Sequence, residues 1–218
     1  MQIISFPIRE IRKMLYYHWT FEEYKRLSKE NSVLKTRLAG LEQTINENAR
    51  LERLLEVKRN LIYSSVAANI IGRDPSYWNS SIIIDKGSAE GVRQGFPVVN
   101  AWGVVGKIVE VGPHKSKVIL LTDPEFSVAA TIERSRESGL VSGTLQGLCR
   151  MRYLSVDADV RLGDKVITSK LSSAFPENMM VGEIIKINQT VNQSSLECLI
   201  RPTVPISQLE EVLVILKQ

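Results

Sequence analysis

The 218-residue sequence holds only two cysteines and two histidines, and no apolar run in it approaches a membrane span. Each scarcity removes a class of chemistry. A secreted scaffold that depends on disulfides carries many more cysteines for its size. Cys149 and Cys198 therefore permit one bridge without arguing for it, and read as buried free thiols. There is no CxxC pair and no His/Cys/Asp/Glu set at ligand spacing, so neither a zinc site nor a redox motif is expected. Neither GxGxxG nor a P-loop occurs, and no cofactor is called for. A bilayer crossing needs about 20 apolar residues. The longest early run, Ile3-Ile4-Ser5-Phe6-Pro7-Ile8, falls short even of a signal-peptide core.

Charge of one sign is also missing from most of the chain. The first 60 residues carry 12 Lys/Arg against 8 Asp/Glu, whereas the other 158 carry 16 of each. The pI of about 9.1 thus describes the N-terminal quarter rather than a basic globular face. Nucleic-acid binding asks for clustered cations with aromatic platforms on a folded surface. The neutral C-terminal part offers no such pattern, and no nucleic-acid partner is expected. At the N-terminus Ile8, Ile11, Leu15 and Trp19 share one helical face beside Arg9, Arg12 and Lys13, with Tyr16, Tyr17 and Phe21 nearby. Cations and interfacial aromatics of this kind flank membrane spans, but they also begin ordinary amphipathic helices. Residues 1–19 are read as a membrane-proximal segment.

What the chain does have begins with a stalk. Residues 20–60 contain no proline and a single glycine, Gly40, and a heptad frame fits them. The a positions are Tyr24, Asn31, Leu38, Ile45 and Glu52; the d positions are Leu27, Leu34, Leu41, Asn48 and Leu55. A 3.5-residue repeat sustained over four heptads predicts a left-handed coiled coil, and leucine at d with asparagine at a suits a parallel dimer. Asn31 would pair with its symmetry mate and penalise other registers. Asn48 and Glu52 weaken the seam, and Leu51 and Leu54 suggest that the apolar face drifts there. The polar outer faces, such as Lys25-Arg26 and Glu42-Gln43, leave only a narrow seam, which favours a homodimer over a lone helix packed on the head.

After Asn60 short β-branched runs alternate with Gly, Pro and Asp turns. Strands are expected at 66–71, 81–85, 97–100, 104–111, 117–122, 127–132, 139–142, 148–154, 165–168, 181–187, 197–201 and 212–216. Such spacing reads as antiparallel barrels or sandwiches. There is also an internal repeat: residues 92–99 (VRQGFPVV) resemble 160–167 (VRLGDKVI), and 105–111 (VGKIVEV) resemble 181–187 (VGEIIKI). Gly95 and Gly163 suit turns, and Gly106 and Gly182 suit bulges or close backbone approaches. Two related units predict two small antiparallel β-barrel subdomains, 61–130 and 131–218, with a boundary that leaves room for strand exchange. The fold class is therefore mostly β with one long N-terminal helix.

A two-barrel protein raises the question of a trypsin-like peptidase. His114 would be the base, Asp123 or Asp159 its orienting group, and a later serine the nucleophile. No later serine is glycine-flanked in a nucleophile setting; Ser142, before Gly143, reads as a strand end. Asp74-Pro75 and Asp123-Pro124 are better explained as turns whose carboxylates cap local amides. A second alternative is a passive spacer that binds no enzyme. Trp78, Trp102 and Phe126 are the aromatic candidates for a contact surface, with core packing as the plain reading of each.

The head resembles the rod-shape-determining MreC family. The resemblance runs through Ile70-Ile71-Gly72-Arg73-Asp74-Pro75-Ser76-Tyr77-Trp78, then Ile84-Asp85-Lys86-Gly87-Ser88-Ala89-Glu90-Gly91-Val92-Arg93-Gln94-Gly95. It continues in Gly103-Val104-Val105-Gly106-Lys107-Ile108, Leu120-Leu121-Thr122-Asp123-Pro124, Gly163-Asp164-Lys165-Val166-Ile167-Thr168-Ser169 and Leu209-Glu210-Glu211-Val212-Leu213-Val214. The similarity covers about residues 62–216. It marks Gly72, Asp74, Pro75, Gly87, Gly91, Gly95, Gly106, Asp123, Pro124, Gly163 and Gly182 as structural positions. It implies a non-enzymatic scaffold of the bacterial elongation machinery, with a single-pass inner-membrane anchor and a periplasmic head. The transmembrane helix of that layout is missing here, and the start at Gln2–Ile8 resembles the outer end of such an anchor. Implied partners are further copies of the chain, as a homodimer and in higher self-association, a class B penicillin-binding transpeptidase, a RodA-type glycosyltransferase, MreD and MreB. The expected action is to organise and activate lateral peptidoglycan synthesis, by favouring the active form of the transpeptidase.

Overall fold

A computed structural model describes residues 7–60, 63–73, 80–189 and 195–216. The chain divides into two compact units, residues 1–52 and 53–218. The stalk is a single helix, α1 (Pro7–Asn60). It starts well before residue 20, so the membrane-proximal segment and the heptads share one helix. The reason is local: proline at the first helical position has its φ preset and lacks only an N–H that would be orphaned anyway, and no further proline follows before Asn60.

The head is built from twelve strands among the described residues, each matching one of the expected runs to within two residues. They are β1 (Ser65–Arg73), β2 (Ser81–Ile84), β3 (Pro97–Asn100), β4 (Gly103–Val111), β5 (Ser116–Leu120) and β6 (Ser127–Ile132). Then follow β7 (Ser138–Gly143), β8 (Cys149–Leu154), β9 (Lys165–Thr168), β10 (Met180–Gln189), β11 (Leu196–Pro202) and β12 (Glu211–Ile215). They form two closed antiparallel barrels of six strands. Followed round from β3, the first reads β3-β4-β5-β2-β1-β12; followed from β9, the second reads β9-β10-β11-β8-β7-β6. The cyclic order is the same, with β12 standing where β6 stands.

This equivalence extends to single residues. Val98 faces Gly106 and Val166 faces Gly182, and in each pair the register shifts on the next step. Gly106 faces Leu120 as Gly182 faces Pro202, and each of these ladders breaks two residues further on, directly after Ile108 in one and Ile184 in the other. The Gly95 N–H donates to the Ile108 carbonyl at 2.8 Å, and the Gly163 N–H to the Ile184 carbonyl at 2.9 Å. Both glycines have φ of +85°, a left-handed conformation that a side chain would strain. The repeated segments are thus matching corners of two barrels.

The division expected at residue 130 needs correction. It falls inside β6, and the second barrel ends at Pro202. β12 goes back to the first barrel because Val212 and Val214 alternate into its core, alongside Val98, Val105, Ile108 and Leu120. The second barrel is therefore an insert between β5 and β12. Its core is built round Phe126, Ile132, Met151, Ile184 and Ile200, and Val104 of β4 and Ile119 of β5 join it from the first barrel. Phe126, one of the aromatic contact candidates, is fully buried and meets Phe175 edge to face at 5.9 Å. Trp102 is 39% exposed in the β3–β4 turn, and Trp78 lies outside the described residues.

Two glycines let the sheets curl. A Cβ on Gly106 would sit 2.0 Å from the Ile119 carbonyl oxygen, and one on Gly182 would sit 2.3 Å from that of Arg201. Gly106→Ala is accordingly expected to destabilise the head by about 1–3 kcal/mol, the usual cost of overpacking. Gly40→Ala, where a methyl meets nothing within 4 Å, should instead strengthen the helix by about 0.5–1 kcal/mol. Chemical denaturation of the two variants beside the parent checks both signs.

Candidate functional site

The stalk presents its seam to solvent. Leu27, Leu34, Leu38, Leu41, Ile45 and Leu55 are each between 53% and 64% exposed, and Asn31 and Asn48 lie on the same exposed line. The Tyr24 side chain lies outside the described residues. Val33 and Leu51 are exposed off the strict a/d positions. A row of aliphatic side chains along a helix, standing in water, is a surface that a second helix would bury.

The head motifs are structural, and the geometry shows how. Gly87 lies against the β4–β5 turn, where a Cβ would be 2.2 Å from the Gly112 carbonyl oxygen. Its N–H donates to Glu90 Oε2 at 2.7 Å, closing the 3-10 turn Ser88–Glu90, and Gly91 ends that turn at φ +83°. Gly72 lies at a register break in β1 and packs loosely on Ile83. Asp85 grips the same strand: the Asn69 backbone N–H and side-chain amide both donate to its carboxylate at 2.8 Å. Burial alone would raise this carboxyl, but these bonds prevail and hold it below the usual range. Asp123 Oδ1 accepts the Glu125 N–H at 2.7 Å, the turn role expected of Asp123-Pro124, and its carbonyl accepts Gly143 N–H from the second barrel. Asp74 and Pro75 lie outside the described residues.

The peptidase set does not assemble. His114 Nδ1 lies 3.5 Å from Glu90, Asp123 caps its own turn, Asp159 pairs with Arg134, and Ser142 is buried on β7 beside Arg152. Among the described residues no three His, Cys, Asp or Glu side chains could hold a metal ion. Cys149 and Cys198 are both free and buried, two ladder positions apart on β8 and β11. Burial pushes the Cys149 thiol up to about 12; burial, aided by Asp164, pushes Cys198 up to about 11. Neither is a thiolate at physiological pH, so neither is a nucleophile.

Sequence reasoning missed one polar cluster. Arg134, in the β6–β7 turn, donates from Nε and Nη2 to the two Asp164 oxygens, each at 2.8 Å, and also reaches Asp159. Asp164 accepts the Arg161 N–H at 2.9 Å as well and is nearly buried. The Arg134 guanidinium holds its carboxyl below the usual range. This fork ties the 155–164 loop to the β6–β7 turn. The equivalent ends of the first barrel carry Phe96 and Leu216, both packed on its core.

A long helix with an exposed aliphatic row, followed by two six-stranded barrels of one plan, one inserted in the sequence of the other, defines a helix-plus-double-barrel class of protein. The family model for the rod shape-determining protein MreC, barrel core, matches residues 70–216. The cell shape-determining protein MreC of Listeria monocytogenes is 30% identical over 206 residues, covering 88% of this chain and 70% of the relative. That of Cereibacter sphaeroides is 29% identical, and the chain spans 57% of its length. A solved MreC structure superposes with a TM-score of 0.71 at 29% identity, over 79% of this chain and 98% of that one. A complex between penicillin-binding protein 2 and MreC from Helicobacter pylori shares the fold at 12% identity, with a TM-score of 0.58 over 71% and 99%. The chain belongs to the MreC family of shape-determining proteins. Among the described residues no helix is long and apolar enough to cross a membrane.

Two outcomes follow from the site chemistry. Both thiols should stay unreactive toward a disulfide reagent at pH 8 until denaturant is added, and then both should titrate. Arg134→Gln should lower the melting temperature at neutral pH. A depressed carboxyl contributes stability above its unfolded value of about 3.9 and loses it as the pH falls through the folded value. The gap between variant and parent should therefore narrow as the pH drops below about 4, as read by melting curves across pH.

Proposed function

We propose that this chain is a non-enzymatic, dimeric scaffold of the cell-elongation machinery, holding a class B penicillin-binding transpeptidase on its paired barrels and favouring its active form. The observation that carries the reading is the exposed seam of α1, six aliphatic a/d side chains more than half in water. Fully burying one leucine is worth about 1.5–3 kcal/mol, so a parallel partner helix gains several such terms along four heptads. Leucine at d with Asn31 at a selects two strands. Two heads on one stalk present their surfaces together, which raises effective concentration without any new contact. A head that binds one conformation of an enzyme more tightly shifts the enzyme toward it.

The transpeptidase partner is supported by the Helicobacter pylori complex, which pairs penicillin-binding protein 2 with an MreC of this fold. The family resemblance extends the reading to MreD, MreB and a RodA-type glycosyltransferase, and to an inner-membrane anchor with the head in the periplasm. Maintaining cell shape through lateral peptidoglycan synthesis is the outcome of that assembly. A passive spacer would share the stalk but bind no synthase.

The Leu34→Asp/Leu41→Asp variant should sediment as a monomer while the head keeps its melting temperature. Persistent dimers would place the contact in the head instead. With purified components, added scaffold should raise transpeptidase crosslinking in a saturable way; a flat response over saturating concentrations would leave only the spacer.

A further inference from the structure

Strand β8 carries a break in its alternation. Met151 and Leu154 both point into the second core, and Arg152 and Tyr153 between them both point out. The register with β11 slips at this point, between Cys198 and Leu196. Tyr153 has φ +65°, a left-handed backbone inside a strand, where a bulky side chain is strained. It is 70% exposed, and the Arg152 guanidinium stands 5.9 Å from its ring centre. Bulges re-aim side chains, and local strain of this kind concentrates where a side chain is held for recognition.

The outward face round this bulge has one dominant sign. Arg150 and Arg152 project from β8, and Arg201 projects from the neighbouring β11. Glu197 reaches only Arg150, at 3.9 Å. Exposed Glu183 of β10 stands opposite Arg201, and exposed Lys186 of β10 stands opposite Leu199; among the described residues no ion pair joins a carboxylate to Arg152 or Arg201. The Arg152 Nε is buried without a hydrogen-bond partner, and its Nη2 reaches only Ser142 Oγ at 3.4 Å. Half-buried Leu140 and Leu199 flank the arginines, opposite Arg152 and Arg150. Arginine forks bind carboxylates bidentately, and tyrosine with arginine is the composition that dominates interface energetics.

We propose that the outward face of β7, β8 and β11 is a docking surface for an acidic protein segment, whose carboxylates engage Arg152 and Arg201 while its apolar side chains cover Leu140, Leu199 and the Tyr153 ring. Charge complementarity selects this occupant: three guanidiniums and the neighbouring Lys186 outnumber two carboxylates, Glu183 and Glu197, and the apolar flanks suit a segment in which acidic and aliphatic residues alternate. The surface goes beyond the scaffold reading, because it holds whichever protein presents the segment.

The test uses the whole chain and a short fluorescein-labelled peptide of alternating glutamate and leucine, followed by anisotropy, beside its glutamine counterpart. The glutamate peptide should bind, should weaken with salt, and should outcompete the glutamine one. Arg152→Gln with Arg201→Gln should weaken it by about tenfold or more. Tyr153→Gly removes the strained φ, so it should keep or raise the melting temperature while losing affinity, the reverse of what a structural tyrosine would do. Equal binding of the two peptides, or affinity indifferent to the arginine pair, would overturn the proposal. So would binding to phosphatidylglycerol vesicles without binding to the peptide, which would assign the face to lipid headgroups.

Discussion

The head depends on one distant pairing: Leu213 and Val214 of β12 lie against Val99 and Val98 of β3. Without it the first barrel is an open sheet whose edges stand free, because β12 and β3 have no other neighbour on those sides. More than a hundred residues separate the two strands, and the whole second barrel lies between them. An open chain of that length would make the pairing entropically costly. A folded second barrel shortens the gap, since its first strand begins at Ser127 and its last ends at Pro202. Folding of the inserted barrel thus lowers the entropic cost of closing the outer one.

The same nesting explains why the two barrels match in register but not in connectivity. β6 and β12 hold equivalent places, yet one opens its barrel in sequence and the other closes it. Between β6 and β7 the chain makes a tight turn tied down by Arg134. At the corresponding place in the first barrel, β12 ends beside the start of β1, where Ser65 pairs with Ile215. Identical ladders therefore carry different ends: an ion-paired turn in one barrel, and in the other the point where chain from the stalk enters beside the last strand.

Much of this was legible in the sequence because it is local. Strands show as β-branched runs between turn residues, and the corners repeat as VRQGF and VRLGD because the same left-handed glycine is needed twice. The allocation of β12 was not legible, since Val212-Leu213-Val214 would alternate equally well on either barrel and only its partner decides. The start of α1 at Pro7 was hidden by the aromatic and cationic side chains of residues 8–21, which suggest a membrane edge without interrupting a helix. Gly95, Gly106, Gly163 and Gly182 were identified by spacing, whereas the Arg134–Asp164 fork joins residues 30 apart that no motif connects.

Tyr153 shows where such reading fails for a physical reason. In Arg150-Met151-Arg152-Tyr153-Leu154 a simple alternating strand would bury Tyr153 beside Met151 and expose Leu154. The core takes Leu154 instead, and the bulge absorbs the extra residue. A β-strand accommodates one slip only where a neighbour's ladder also gives way, and β11 gives way between Leu196 and Cys198. The tyrosine is therefore displaced outward by the packing demand of Leu154, and the strained backbone is the record of that competition. The side chains that the core leaves outside on this strand are two arginines and a tyrosine.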